Sequence, residues 1–167
     1  MDEIGRAYTA CIKLLAPRAR SKKEIKDHLA RKKFKDEVIQ ETLDQLTREN
    51  LINDKAFAEY FVENREQFRP RSKFALRYEL RQKGIDEALI NHALMDIDEG
   101  KSAWAAVKPR IEVWKRHDSD AFKKKIMNYL KNRGFNYEIS ISTYKKACSK
   151  VTPPFSIKNT DLPENED

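Results

Sequence analysis

The chain is short of the residues that break helices: its 167 residues include only 4 Gly and 6 Pro. Inside a helix, glycine costs about 1 kcal/mol and proline about 3 kcal/mol relative to alanine, so this scarcity favours helices. No apolar run of about 18 residues is present, which excludes a membrane-spanning helix. The opening stretch MDEIGRAYTACIKLLAPRAR lacks the basic, then apolar, then small-residue order of a secretion signal. Cysteine is nearly absent as well. Cys11 and Cys148 stand far apart, each in an apolar-periodic segment, and they read as buried free thiols of a reducing compartment. A monomeric, cytoplasmic protein with no membrane partner is expected.

Reactive groupings are missing too. His28, His92 and His117 are expected on separate helices, with no partner at a metal-ligand spacing. No CxxC, glycine-rich phosphate loop or nucleophile elbow occurs, and the carboxylates are scattered along helix faces. Neither a metal, a cofactor nor an enzyme activity is expected.

What the chain does have is charge. Charged residues make up 37% and hydrophobic ones 40%, with a formal net charge of +7 and a pI near 9.3. Such a balance suits a nucleic acid or an acidic protein surface as partner. The arrangement of the cations narrows this further.

The segment SKKEIKDHLARKKFKDEVIQETLDQL (21–46) aligns without a gap on SKFALRYELRQKGIDEALINHALMDI (72–97), at an offset of 51. Ile25 meets Leu76, Leu29 meets Leu80 and Phe34 meets Ile85; Val38, Ile39, Leu43 and Leu46 meet Leu89, Ile90, Leu94 and Ile97. A diverged third copy starts near 122, with Ile126 and Leu130 in place of Leu76 and Leu80. Each copy is preceded by one more amphipathic segment: Ile4, Tyr8, Cys11, Ile12, Leu15; Phe57, Tyr60, Phe61, Phe68; and Trp104, Val107, Ile111, Trp114. Their helical spacing favours core packing over base stacking for these aromatics. The pattern predicts an all-α protein of three tandem three-helix repeats, helix-turn-helix-like units in an elongated, curved stack. The repeats are expected at 1–50, 51–98 and 99–150, with 151–167 a disordered acidic tail.

Local signals mark the helix ends. Ser21 and Glu24 fit a capping box, Asn53 a cap with Ile52 and Phe57 as a hydrophobic staple, and Asp86 and Asn136 further caps. Gly84 and Gly134 stand where a helix ends in a left-handed residue. Lys33 takes that place in the first copy, so its turn is expected to be less well formed. Pro109 predicts a break in its helix. YEISISTY (137–144) alternates like a strand, but the repeat register makes it helical.

Lys73, Arg77 and Arg81 recur at i, i+4, i+8, a cationic line on one face of the helix whose core face carries Leu76 and Leu80. Lys22 and Lys26 hold the matching places in the first copy, and Lys123 and Lys131 in the third. Further cations precede these helices: Arg18 and Arg20, Arg69 and Arg71, Lys115 and Arg116. Arg133 lies beside Gly134. A solvated helix face explains any single lysine. Recurrence in every copy points to an anionic partner, contacted at helix N-termini and along the stripe.

LTRENLINDKAFAEYFVENR (46–65), LRYELRQKGIDEALI (76–90) and YLKNRGFNYEIS (129–140) together resemble the RecX family, bacterial regulators of the RecA recombinase. The three blocks stand in the family's order and cover most of residues 5–150. The chain departs in having Arg71-Ser72 where many members have Gly-Pro, and Asn53 where Asp is usual. The resemblance implies tandem three-helix units that bind in the groove of the RecA–DNA filament. It implies inhibition of ATP hydrolysis, strand exchange and co-protease activity, and so a part in DNA repair, recombination and the SOS response. Partners would be the RecA filament and single- and double-stranded DNA, the latter bound salt-dependently. A stand-alone helix-turn-helix-like DNA-binding protein, or a scaffold for acidic proteins, remains open on the residues alone.

Overall fold

The repeated pair of aliphatic residues four apart marks a buried stripe, and the glycine that follows it marks where the helix must stop. The computed structural model describes residues 1–151, and every regular element among them is helical. The expected tail therefore lies outside the described residues, Val151 excepted. The helices are α1 (Glu3–Leu15), α2 (Lys22–Arg31), α3 (Asp36–Arg48), α4 (Asp54–Phe68), α5 (Lys73–Gln82), α6 (Glu87–Leu94), α7 (Glu99–Val107), α8 (Ile111–Trp114), α9 (Ser119–Asn132) and α10 (Tyr137–Lys150). A 3-10 turn, Lys108–Arg110, joins α7 to α8 at Pro109, the expected break. YEISISTY is helical, inside α10.

The aliphatic pairs behave alike in all three copies. Ile25 and Leu29, Leu76 and Leu80, and Ile126 and Leu130 are each fully buried. Burial of one such side chain stabilises by roughly 1.5–3 kcal/mol, so these six anchor the fold. Two compact units contain them. The first comprises Met1–Asn64 and Leu76–Asp96; the second comprises Arg65–Ala75 and the chain from Ile97 onward. In the first unit, Ala7 and Cys11 of α1 pack with Ile25, Leu29, Ile39, Leu43, Leu46 and Ile52. In the second, Val107 and Ile111 pack with Phe122, Ile126, Leu130, Phe135 and Tyr144, with Trp104 and Trp114 at the edge.

The first-helix stripes are only partly interior. Phe57, Val107 and Ile111 are buried, but Tyr60, Phe68 and Ile12 are exposed, so the packing expected of them fails. Those three sit on the flank of the stripe, where helical spacing alone does not separate core from rim.

Caps follow the sequence closely. Ser21 and Glu24 form the full capping box, and Asn53 and Asn136 accept from the N–H groups of Ala56 and Ile139 at 3.1 and 2.9 Å. Asp86 occupies its N-cap without a side-chain hydrogen bond, contrary to expectation. Of the histidines, His117 lies in the turn after α8 rather than on a helix.

The three turns after α2, α5 and α9 are the same motif. Gly84 and Gly134 have φ of 74° and 86°; each N–H donates to the carbonyl three residues back at 2.9 Å. The next N–H, of Ile85 and Phe135, reaches Leu80 and Leu130 at 3.1 Å. Lys33 has φ 67°, and the equivalent bonds, to Ala30 and Leu29, measure 3.0 and 3.2 Å. The first turn is therefore fully formed, correcting the expectation. Its hydrogen bonds and the anchoring of Leu29 hold a lysine in a left-handed conformation that glycine adopts freely.

Candidate nucleic-acid interface

Helix spacing places Lys73, Arg77 and Arg81 on one side of α5, and Phe74 and Tyr78 on the next strip round. The arginines are not free. Arg77 donates to both Glu87 Oε2 and Asn91 Oδ1 at 2.8 Å, and Arg81 also pairs with Glu87. The counter-charge to these two arginines comes from Glu87 of α6, which a reading of one helix at a time could not anticipate. The pair holds Glu87 below the usual carboxylate range, chiefly through the Arg81 bond. It is solvent-exposed, a class of ion pair worth little, so the arginines can exchange Glu87 for another anion. Phe74 and Tyr78 are 77% and 61% exposed, an aromatic strip that the sequence reading did not single out.

In the first unit, Lys22 and Lys26 project from α2 and are exposed. Arg18 grips Glu24 through two bonds, of 2.8 and 3.2 Å, and Arg20 donates to the Leu14 carbonyl at 3.2 Å. Glu24 also accepts from Lys83 Nζ at 2.8 Å and from its own cap, the Ser21 N–H. Burial opposes ionisation of Glu24, but the bonds from Arg18, Lys83 and Ser21 outweigh it and hold the carboxyl at about 2.

The second unit gathers its cations differently. Lys115 pairs with Glu112, Lys123 lies over the Tyr144 ring, and Arg69, Arg116 and Lys131 are exposed. Arg133 stacks on Tyr129 with its guanidinium carbon 3.4 Å from the ring centroid. Arg110, from the 3-10 turn, lies 5.4 Å from the same centroid. Trp114 meets Tyr129 edge-on at 5.1 Å. Burial depresses the Arg133 guanidinium, Tyr129 opposes that effect, and the charges of Arg71 and Arg110 add to it. Sequence reasoning named Arg71 and Arg133 but missed Arg110 and Tyr129; the signal was the cation just after Pro109, at the expected helix break.

Charge is not shared evenly. The first unit has 16 Lys and Arg against 16 Asp and Glu, a net of zero. The second unit, as far as Val151, has 17 against 7, a net of +10. Among the described residues, no cluster of His, Cys, Asp or Glu is placed to hold a metal ion, and no helix is long and apolar enough to cross a membrane.

Comparison with known proteins gives a consistent result. Residues 7–46 match the family model described as RecX, first three-helix domain, and residues 53–94 match RecX, second three-helix domain. The chain is 40% identical over 131 residues to Regulatory protein RecX of Chlorobium phaeobacteroides, covering 78% of this chain and 86% of that protein. It is 37% identical over 145 residues to the Corynebacterium efficiens protein of the same name, covering 82% and 69%. The crystal structure of RecX from Lactobacillus salivarius superposes with a TM-score of 0.72 at 23% identity, over 87% of this chain and 97% of that one. At that identity the structural likeness speaks for the fold alone.

Proposed function

This chain belongs to the RecX family, and from that premise we propose that it regulates the RecA recombinase by binding in the groove of the RecA–DNA filament. There it slows ATP hydrolysis, strand exchange and co-protease activity, and catalyses nothing itself. It acts as a monomer in the cytoplasm, with 1–50, 51–98 and 99–150 as its three repeat domains. The observation that carries this reading is the match, along most of both chains, to proteins named as regulators.

On this reading the cations supply the contact. Lys22 and Lys26 are already exposed, and the carboxylate that Arg77 and Arg81 share is the exposed Glu87, with Asn91 a neutral second acceptor for Arg77, so a filament anion can replace Glu87 at small cost. The test is a titration into a RecA–single-stranded DNA ATPase assay. Loss of ATPase well below one chain per recombinase monomer supports filament capping or groove binding. Charge reversal at Lys73, Arg77 and Arg81 should abolish the inhibition while the chain stays folded; full inhibition by that variant removes the stripe from the interface. A second reading, direct DNA binding without the recombinase, draws on the net +10 of the second unit. ATPase unaffected by a chain that binds bare DNA would favour it.

A further inference from the structure

The first turns of α7 and α10 open onto one groove of about 670 Å³, within the second unit. Asp98 and Asn136, the N-caps of the two helices, stand at one end, and Trp104 and Lys146 line the other. The floor is apolar. Trp104 and Ile139 pack against the core of the unit yet stay only half-buried, and Lys146 Nζ rests 4.5 Å from the Trp104 ring centroid. Lys101 and Glu138 line the capped end as well. There Asp98 is engaged by the Lys101 N–H at 3.1 Å, and no cation pairs with Glu138 among the described residues.

The chain leaves α10 at the opposite end from the caps. Val151 is already extended, with φ −94° and ψ 120°, and it packs against the same core, so the backbone has left the helix while still lying on the unit. TPPFSIKNTDLPENED (152–167) follows. Pro153 and Pro154 cannot continue a helix and favour an extended path. Helix and extended chain advance at fixed rates, about 1.5 and 3.3 Å per residue, so their registers can be compared. Lys146 lies about 7.5 Å back along α10 from Val151, a distance that about two or three extended residues cover. A chain doubling back thus brings Pro153 and Pro154 level with Lys146 and Trp104. Phe155 comes level with Thr143, Ile157 with Ile139, and Lys158 with Glu138, about 20 Å from Val151. The order of chemistry matches. Apolar residues meet the apolar floor, and the cation Lys158 falls where the unpaired carboxylate stands.

We propose that residues 153–158 fold back into the α7–α10 groove, with Pro153, Pro154 and Phe155 against Trp104, Ile157 against Ile139, and Lys158 paired with Glu138. Proline-rich extended segments dock on aromatic-lined grooves because little freedom is left for them to lose. A tether this short makes the contact intramolecular, with an effective concentration on the order of millimolar, so weak contacts suffice. Beyond Lys158, the carboxylates of Asp161, Glu164, Glu166 and Asp167 are drawn to a unit with a net of +10 as far as Val151. The chain thereby fills its own groove and closes it to extended peptides of other proteins. This contact is independent of the recombinase and of the α5 stripe.

The test is acrylamide quenching of tryptophan fluorescence in the full chain carrying Trp114→Phe, which leaves Trp104 as the only indole. Phe155→Asp should shift the emission to the red and raise the quenching constant severalfold. Lys158→Glu and Glu138→Lys should each act in the same direction but less, because an exposed ion pair changes the docking equilibrium by no more than about fivefold. The two together should restore the starting values. Quenching should not depend on protein concentration. If Trp114→Phe fails to fold, the Trp104 indole N–H resonance of the chain with both tryptophans reads the same changes. Unchanged emission and quenching in a folded Phe155→Asp variant overturn the proposal, leaving the groove open to another protein's peptide. A charge swap that does not restore them overturns the register, and quenching that falls as protein concentration rises places the segment of a second copy in the groove instead.

Discussion

Replacing Lys33 with glycine should make this protein more stable, although lysine is by far the better helix former. Lys33 sits at φ 67°, where a side chain costs roughly 1–2 kcal/mol. Glycine removes that cost but has more freedom to lose on folding, about 0.5–1 kcal/mol. The lysine side chain is exposed, and both turn hydrogen bonds are made by the backbone, so nothing else changes. The net gain is about 0.5–1 kcal/mol, which raises the melting midpoint by roughly 1–4 °C in a chain of this length. The matching position in the second copy predicts the opposite sign. A Cβ at Gly84 would lie 2.6 Å from the Lys23 Cβ, an atom fixed to the α2 backbone, so Gly84→Ala adds a clash to the strain. Its cost should be about 2–3 kcal/mol. Thermal melts and urea titrations followed by circular dichroism measure both. A lower midpoint for Lys33→Gly, or a neutral Gly84→Ala, would refute the claim that backbone conformation governs these turns.

Three further outcomes are expected. Glu24 ionises near 2 in the fold against an ordinary 4.5, so its contribution is complete above about pH 4.5 and disappears as pH falls towards 2. Glu24→Gln should therefore cost about 2 kcal/mol at pH 7, allowing for partial solvent screening, with the gap to wild type closing near pH 2 in denaturant titrations. Glu87→Gln releases Arg77 and Arg81 from an exposed pair; the melting midpoint should barely move, while inhibition of recombinase ATPase should set in at lower protein concentration. Burial pushes the Cys11 thiol up to about 11, so a thiol reagent at pH 8 should label Cys11 only as fast as the chain opens, and at once in denaturant.

Much of the fold was legible because its signals are local or strictly periodic. The aliphatic pairs of α2, α5 and α9 repeat at nearly constant offset, and all six side chains are buried. Ser21, Asn53 and Asn136 cap within three residues of their own position, so the sequence alone contains the interaction. What stayed hidden depends on a second element. Glu87 reaches back from α6 to Arg77 and Arg81, and no pattern within α5 points to it. Arg110 and Tyr129 are 19 positions apart, and only the fold of the second unit joins them. The exposure of Tyr60 and Phe68 was hidden for a related reason: a wide apolar stripe leaves its flanking residues uncovered unless a neighbour reaches them.

Within the first unit, α2 meets the second family-matched segment through polar groups. The Lys22 N–H donates to Asp54 Oδ1 at 2.8 Å, Lys83 holds Glu24, and Gly84 lies against the Lys23 side chain. Apolar contacts tolerate sliding, because a methyl group is indifferent to direction. Hydrogen bonds and a close glycine contact are not, so this joint sets an angle as much as it supplies cohesion. Small changes at Asp54 or Lys83 should then act like an error in a protractor. The helices on either side of the joint stay formed, while the bearing of α2 against the groups it meets drifts, and with it the spacing of what they present to a partner.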